Sequence, residues 1–472
     1  MQRLLIILIA ALPLSLSAQV WTLDSCVQYA YLQNLSIKQS KLNVELAEAS
    51  ELNALGNMLP SLNGQATHGF NWGQRIDPFT NQFATERIRS NNFGINTSMT
   101  LFNGFALLNS WKQSELNTEA SKWNYEKMQN DIALNVSSSY LAVLLNREML
   151  IIAQQNLAAT QKQLTRIEKL VFAGQLAENV LADMEAQEAS DKASLINAEN
   201  SHTLSKLALM QLLQLDALQM ETFEIFVPDM SDFSTEVMIA SPQLAAQAAL
   251  NNFPEVKSAT TQLAAADLGV KAAKGSRYPS LNMSYSYGSG YSGAAKEITG
   301  EPTLVYDTLE VEQVEVVIPG LNYDDDDYTL KPFEKQFKDN INQSLFFSLT
   351  IPIFNGFATR TNVKRAELNR EITALQLEQT KQALEQSVYR AHADVQAALA
   401  SYQASEESVK ASQRAFQYAE TRYENGQTNL VDYNDARTRL DNALASQARA
   451  RYDFIFKLKV LEFYQGKSIS MK

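Results

Sequence analysis

Cysteine, histidine, proline and glycine are all scarce in this sequence. With one Cys and three His among 472 residues, the chain has no internal disulfide and no conventional tetrahedral zinc site made of His and Cys alone. Its 11 Pro and 17 Gly supply few turns for a chain of this length, which argues against a string of small globular domains. The composition therefore predicts few elements, each of them long.

Clustered positive charge is also missing. The net charge is −12 and the pI is near 5.0, and no basic arm or stripe is visible, so we expect no nucleic-acid partner. No nucleophile elbow, phosphate-binding glycine loop or metal motif appears, and His68, His202 and His392 have no ligand-spaced partners. We therefore expect no enzyme activity, no catalytic residue and no cofactor.

The N-terminus is predicted to be an export signal. Arg3 precedes an apolar stretch from Leu4 to Leu16, which is followed by Ser17 and Ala18. Residues 1–18 are therefore assigned as a signal peptide, with a cleavage site uncertain by one residue. No later run of 18 apolar residues follows, so we expect no membrane-spanning helix.

The mature chain carries two copies of one pattern. Phe102-Asn103-Gly104-Phe105 matches Phe354-Asn355-Gly356-Phe357, and Leu59-Pro60-Ser61-Leu62-Asn63 matches Tyr278-Pro279-Ser280-Leu281-Asn282. We predict two internal repeats, 19–215 and 241–465, a linker at 216–240 and a tail at 466–472. The second repeat has 33 extra residues between these motifs.

Each repeat contains one very long predicted helix. Gly104 to Gly174 and Gly356 to Gly426 both span 70 residues, with no Pro or Gly between the end points. Apolar residues recur every seven positions, as in a coiled coil, at Val136, Val143, Leu150, Leu157, Leu164 and Val171, and at Val388, Val395, Tyr402, Val409, Phe416 and Tyr423. Four shorter predicted helices flank them, at 24–55, 178–215, 242–274 and 429–464. Two short helices end to end match one long helix in length.

In four other segments, apolar and polar residues alternate with a period of two, as in β-strands. They lie at about 60–72, 92–102, 279–289 and 341–354, and each has an apolar face and a face of Ser, Asn, Thr and Gln. His68 is an exception on the apolar face. Such strands suit a bilayer, but four of them cannot close a barrel, and open edges are not tolerated in lipid. They either form a soluble layer or belong to a barrel shared by several chains.

Together these motifs resemble the TolC-type outer-membrane efflux channels of Gram-negative bacteria. The resemblance spans essentially the whole mature chain, and also rests on Trp21-Thr22-Leu23-Asp24, Pro254-Glu255-Val256 and Arg422-Tyr423-Glu424-Asn425-Gly426, with Asp432 and Asp435 downstream. It implies a homotrimer in the outer membrane, with a twelve-stranded β-barrel of four strands per chain continued by an α-helical coiled-coil tunnel in the periplasm. It also implies the outer-membrane channel of a tripartite efflux or type I secretion system, which conducts substrate passively and works with a periplasmic adaptor and an inner-membrane transporter. The alternative from another class is an exported trimeric coiled-coil adhesin or scaffold without a pore.

The resemblance points to a periplasmic aperture near the second helix turn. Asp432 and Asp435 match an acidic pair that rings the constriction in related channels, and Tyr423 matches a latch tyrosine. The two acids also suit the positive end of a helix starting near Asn429, and Tyr423 also fits a packing position. Two further latch positions are occupied here by Thr428 and Val180, which depart from the family pattern, so any closing network must differ.

The turns themselves are candidate adaptor-docking tips. Gly174 with Gln175, and Gly426 with Gln427, match the tips that meet adaptor hairpins in this family. Each glycine equally fits an ordinary helix C-cap, and both roles are compatible.

An acidic loop occupies residues 290–340 of the second repeat. From Lys296 to Asp339 there are 12 acids and 4 Lys, including the run Asp324, Asp325, Asp326 and Asp327. Leu309, Val311, Gln313 and Glu315 alternate as in a strand. The Asp run is a weak candidate for calcium, but it lacks the spacing of a defined calcium loop, which favours a solvated outward loop.

Overall fold

The structure, a computed structural model, describes residues 20–77, 81, 83–84, 87–228, 241–311, 314–322 and 328–467. The predicted signal peptide therefore lies outside the described residues. The described part of the chain is mostly helical, at about 68%. The helices in the described residues are α1 (Leu23–Gln33), α2 (Leu35–Gly56), α3 (Ala106–Phe172), α4 (Glu178–Leu213), α5 (Ala217–Glu221), α6 (Pro242–Asn252), α7 (Pro254–Gly275), α8 (Phe333–Asp339), α9 (Ala358–Glu424) and α10 (Leu430–Tyr464).

The strands are shorter than the helices and fall mostly between α2 and α3 and between α7 and α9. They are β1 (Val20–Trp21), β2 (Ser61–Asn71), β3 (Arg75–Ile76), β4 (Phe83–Ala84), β5 (Ile88–Asn103), β6 (Glu224–Ile225), β7 (Ser280–Ser292), β8 (Lys296–Ile298), β9 (Thr303–Val311), β10 (Val314–Asn322), β11 (Tyr328–Leu330) and β12 (Asn342–Thr350). Strand β12 ends before Pro352, four residues short of the predicted end, because proline has no N–H to donate to a ladder.

The chain divides into two compact units. Among the described residues, the helical unit falls within 20–48, 116–264 and 371–467, and the sheet unit within 49–115 and 265–370. The large buried hydrophobic clusters of the described residues lie in the helical unit.

The predicted heptad positions form much of the core of the helical unit. Val136, Val143, Val388 and Val395 are fully buried, and the other predicted heptad residues are half-buried. The largest core cluster joins α1, α3 and α4 and also includes Tyr452 and Ile455 of α10. The hydroxyl of Tyr140 lies 2.5 Å from the Phe226 carbonyl oxygen and 3.2 Å from that of Trp21, which anchors the parallel β1–β6 pair to α3.

Two predicted helices are each broken into two. The helix predicted over 24–55 is interrupted at Asn34, whose side chain accepts a hydrogen bond of 2.9 Å from the Ser36 amide. The helix predicted over 242–274 is interrupted at Phe253, which is extended because it precedes Pro254. The predicted linker at 216–240 contains regular structure, since α5 and β6 lie within it; residues 229–240 are outside the described part.

One helix has a segment apolar enough to cross a membrane by length and composition. It is α3, in which the apolar residues do not form an unbroken run. Ile132, Val136 and Leu144 on this helix belong to the largest core cluster, so packing against other helices of the unit accounts for at least part of its apolar character.

A four-stranded antiparallel sheet dominates the sheet unit. Its order is β12-β7-β5-β2, and among the described strands β12 and β2 each pair on one side only. Residues directly opposite each other share a face. Gln65 lies opposite Gly94 and Thr67 opposite Asn92 on the polar face, while Ala66 lies opposite Phe93 on the apolar face.

The two Phe-Asn-Gly-Phe motifs adopt the same backbone. Gly104 and Phe105 have φ of 64° and 62°, and Gly356 and Phe357 have φ of 60° and 66°. In each copy the two Phe rings meet edge to face, at 5.4 Å for the first copy and 5.6 Å for the second. Two consecutive left-handed residues therefore lie directly before each long helix.

The acidic loop is more structured than predicted. In place of one strand through Leu309, Val311 and Glu315, it contains two antiparallel strands, of which β9 ends at Val311 and β10 begins at Val314; Gln313 lies outside the described residues. Helix α8 follows and packs against β7, where Gln336 bonds the backbone of Ser292. The run Asp324–Asp327 lies outside the described residues.

Candidate functional site

Both helix turns at the candidate docking tips have a glycine C-cap. Gly174 has φ of 70°, and the Gln175 amide donates to the Leu170 carbonyl oxygen at 2.8 Å. Gly426 has φ of 69°, and the Gln427 amide donates to the Arg422 carbonyl oxygen, also at 2.8 Å. In each turn the glycine amide also donates to the carbonyl oxygen three residues back. This pair of hydrogen bonds is the Schellman motif, which requires a left-handed residue and therefore favours glycine.

The two turns leave their polar side chains accessible. Gln175 and Gln427 are exposed, and no atom lies within 4 Å of a Cβ added at either Gly174 or Gly426. The Arg422 guanidinium donates to the Gln427 carbonyl oxygen at 3.3 Å, which braces the second turn. The tips are thus fixed in backbone by hydrogen bonds and open to a partner.

Asp432 lies in the first turn of α10. Its amide donates to the side-chain oxygen of Asn429 at 2.8 Å, and its carboxylate accepts a hydrogen bond of 2.7 Å from the Thr428 hydroxyl. A carboxylate in this position is favoured by the partial positive charge at the helix N-terminus. Thr428, which departs from the family latch pattern, therefore serves as a local partner of Asp432.

Asp435 follows three residues later on the same exposed side of α10. Asp432 and Asp435 are both exposed, so their carboxylates face away from the core of this chain. The opposite side of the helix is buried at this level, where Leu430 and Tyr433 are 8% and 3% exposed.

Tyr423 is a packing residue in this structure. Its ring centroid lies 5.0 Å from that of Tyr433, and it borders a cluster built on Ile167, Met184 and Leu430. Val180, the other departure from the family latch pattern, borders the same cluster. Burial raises the pKa of the Tyr423 hydroxyl. The phenol therefore stays neutral near pH 7.

A buried ionic cluster lies one to two turns further along α10, and the sequence pattern did not reveal it. Arg437, 7% exposed, donates to the Asn156 carbonyl oxygen of α3 at 2.5 Å. Its guanidinium lies 3.8 Å from the carboxylates of both Asp191 on α4 and Asp441 on α10. The Thr160 hydroxyl of α3 donates to Asp191. Three helices therefore meet at one guanidinium.

The cluster is imperfectly satisfied. Nη1 of Arg437 is buried without a hydrogen-bond partner in the described structure. Desolvation raises the pKa of Asp441 from its ordinary value of 3.8 to about 6; Arg437 opposes this shift and the negative charge of Asp191 adds to it. An arrangement of one cation, two acids and an unpaired donor is sensitive to the charge on Asp441.

A positional signal for this cluster does exist in the sequence. Arg437 comes seven residues after the buried Leu430, and Asp191 comes seven residues after the buried Met184. Charged residues at heptad positions of a core stripe are seldom free of a partner. The partner itself was not predictable, because it lies on a helix more than 240 residues away in the chain.

No metal site is evident among the described residues, where no group of three or more His, Cys, Asp or Glu side chains is arranged to hold an ion. The candidate calcium residues Asp324–Asp327 fall outside that part of the chain.

The chain matches the outer membrane efflux protein family model over residues 26–214 and 245–466. It is similar to the outer membrane protein TolC of Vibrio cholerae, with 24% identity over 471 residues that cover 96% of this chain and 94% of that protein. It is also 24% identical over 296 residues to the pyoverdine export outer membrane protein OpmQ of Pseudomonas aeruginosa; this match covers 58% of this chain and only 57% of OpmQ.

The fold is shared with solved structures as well. A crystal structure of CusC, from work on its folding and transmembrane channel formation, superposes with a TM-score of 0.76 at 18% identity, covering 95% of this chain and 92% of that one. The helices and the four-stranded sheet described above therefore form a fold that this chain shares with CusC. The chain belongs to the outer membrane efflux protein family.

Proposed function

We propose that three copies of this chain form an outer-membrane duct that conducts substrate passively to the cell exterior. Each chain contributes β2, β5, β7 and β12 to a twelve-stranded barrel, and its helices continue as a periplasmic tunnel. The two repeats at 19–215 and 241–465 then supply one strand pair each. A signal peptide at 1–18 directs export of the chain.

The observation that carries the proposal is the four-stranded sheet. It has an apolar face, a face rich in Ser, Asn and Thr, and unpaired edges at β12 and β2 among the described strands. A bilayer tolerates strands only in a closed barrel, and one sheet of four strands is too narrow to close. Pairing β12 of one copy with β2 of the next satisfies both edges and places the polar faces around a wet lumen.

The duct works with a periplasmic adaptor and an inner-membrane transporter. The adaptor meets the turns at Gly174, Gln175, Gly426 and Gln427, whose polar side chains are exposed. Asp432 and Asp435 form acidic rings at the periplasmic aperture, six carboxylates in a trimer, which select against anions. Tyr423 holds this end of α10 by packing against Tyr433.

Planar-bilayer recording of the purified full-length protein tests this function. Discrete conductance steps are expected. A protein that assembles and inserts but conducts no ions would instead support the exported scaffold without a pore.

A further inference from the structure

On the apolar face of the β2–β5 pair, one column of side chains changes along the strands from charged, through polar, to apolar. Opposite residues share this face, and the pairs run Phe70 with Arg89, His68 with Asn91, Ala66 with Phe93, and Gly64 with Ile95. The order is cation, hydrogen-bonding pair, aromatic and aliphatic. From Arg89 to Ile95 the column advances by six residue steps, or about 20 Å at 3.4 Å per step. With strands tilted by about 40° in a barrel, the column spans about 15 Å of depth, which fits within one leaflet and its headgroups, about 20 Å thick.

The cationic end consists of two exposed arginines. The Arg89 guanidinium lies 4.9 Å from the Tyr291 ring centroid and donates to the Tyr291 hydroxyl at 3.0 Å. The Arg87 guanidinium lies 4.9 Å from the Phe70 ring centroid. Neither forms an ion pair with a carboxylate among the described residues. A guanidinium fixed on a ring, with donors left over, suits a phosphate group.

His68, the histidine that interrupts the apolar pattern of β2, belongs to the second pair of the column. His68 Nδ1 and Asn91 Oδ1 lie 2.5 Å apart across the two strands, and both side chains belong to the otherwise apolar face. A polar pair on a lipid-facing surface is costly in the hydrocarbon core and tolerated near the interface. At two residues below Arg89, the pair lies at the depth of the polar linkages between a headgroup and its acyl chains.

An apolar groove lies at the lower end of the column. Its volume is about 430 Å³, and its walls include Phe93, Ile95, Tyr287 and the α8 residue Phe337. The ring centroids of Phe93 and Phe337 are 5.7 Å apart, so α8 forms one wall. A Cβ added at Gly64 meets no atom within 4 Å, which shows that the missing side chain leaves this space open. The volume falls in the range of ligand pockets.

We propose that this column is a binding site for lipid A, the phosphorylated and acylated lipid of the outer leaflet. Arg87 and Arg89 bind its phosphate, His68 and Asn91 face its polar linkages, and the groove beside Gly64 receives an acyl chain. The site rests on the proposed function, because its face must meet lipid. It lies on β2, β5 and β7, and the groove is centred on the inner strand β5; edge pairing of β2 in a trimer uses backbone hydrogen bonds in the plane of the sheet and leaves the side chains of this face exposed to lipid.

Two variants remove different parts of the site. Arg87→Gln with Arg89→Gln removes both guanidiniums, and Gly64→Leu fills the groove without changing charge. The matched control is Arg277→Gln with Arg360→Gln, which removes two exposed arginines beside a cavity at the other end of the strands. The readout is lipid A bound per chain, counted by native mass spectrometry of delipidated full-length protein after incubation with lipid A in nanodiscs.

The control is expected to bind lipid A as the unmodified protein does. The Arg87 and Arg89 double variant is expected to bind at least fivefold less, and to lose the preference for lipid A over lipid A stripped of its phosphates. Gly64→Leu is expected to reduce binding of both forms. Equal binding by all variants, or a preference of the unmodified protein for phosphatidylglycerol, would overturn the site.

Conductance of the same preparations separates the two proposals. Unmodified protein that conducts but shows no arginine-dependent lipid binding overturns the lipid site alone. Unmodified protein that does not conduct overturns the duct, whichever lipid it retains.

Discussion

Gly104 and Gly356 occupy the same position in the two Phe-Asn-Gly-Phe motifs, but their surroundings differ. Both have a left-handed backbone. A Cβ added at Gly104 would lie 2.3 Å from the Gly275 carbonyl oxygen, whereas one added at Gly356 meets nothing within 4 Å. The first glycine is therefore required by close packing of the backbone as well as by its φ, and the second by φ alone.

This difference predicts unequal costs for one substitution. Gly356→Ala should lower the free energy of unfolding by about 1 kcal/mol, the cost of a left-handed alanine. Gly104→Ala should cost about 3 kcal/mol, because the backbone must also move away from the new methyl group. Urea denaturation of both variants in mild detergent measures the difference, and equal losses would contradict the packing argument.

The acidic pair on α10 leads to a second prediction at this scale. Neutralising both carboxylates with Asp432→Asn and Asp435→Asn should reduce the cation-to-anion permeability ratio of single channels by roughly threefold or more, if rings of carboxylates set selectivity. Asp453→Asn on the same helix, beside Lys457, is the matched control and should leave the ratio unchanged. An unchanged ratio in the double variant would remove these residues from the aperture.

The helices were more predictable than the contacts between them. The absence of Pro and Gly between residues 105 and 173 was enough to predict α3, and local C-cap chemistry located its end at Gly174. The break at Phe253 followed from Pro254, a local signal that the overall helical pattern concealed. The Arg437 cluster was different in kind, since it depends on packing between helices that are distant in sequence.

The same cluster makes the helical unit sensitive to pH. The charged groups that face Asp441 in the described structure are Arg437 on its own helix and Asp191 on α4, while α3 contributes the uncharged Thr160 and Asn156. Because the folded pKa of Asp441 is about 6 against an ordinary 3.8, the folded chain binds this proton more tightly than the unfolded chain. The contribution of Asp441 to stability is therefore greatest at low pH and is lost as pH rises through 6.

Asp441→Asn should remove this pH dependence. In the unmodified protein, acidification from pH 7 to pH 5 should stabilise α10 against local opening by on the order of 1–2 kcal/mol. Hydrogen exchange of α10 amides, corrected for intrinsic rates, measures this change, with Asp453→Asn as the control. A variant that keeps the full pH response would exclude Asp441 as its origin.

At the scale of elements, we expect the helix turns at Gln175 and Gln427 to bind the adaptor together. Gln175→Glu with Gln427→Glu should abolish efflux in cells without lowering the amount of assembled protein, because both turns offer exposed polar side chains to the adaptor. Gln417→Glu, on an exposed part of α9, is the control. Normal efflux in the double variant would argue against docking at these tips.

At the scale of the whole molecule, the two edges of the four-stranded sheet, which have no further partner among the described strands, connect fold and function. A sheet of four strands is unfavourable alone in water, because one face is apolar, and alone in lipid, because its edges are open. The alternating pattern of the four strand segments is enough to predict that such a sheet needs further strands. The length, the scarcity of turn residues and the lack of chemistry-bearing Cys and His all agree with a duct built mainly of long helices. Copy number was not predictable from periodicity, because it depends on how two edges of different chains pair.

The number of chains in the conducting species tests the central claim most directly. Native mass spectrometry of the protein, released from the detergent preparation that shows conductance, should give three copies of the processed chain. A conducting species of a single chain would contradict the shared barrel, since four strands per chain could not then enclose a lumen.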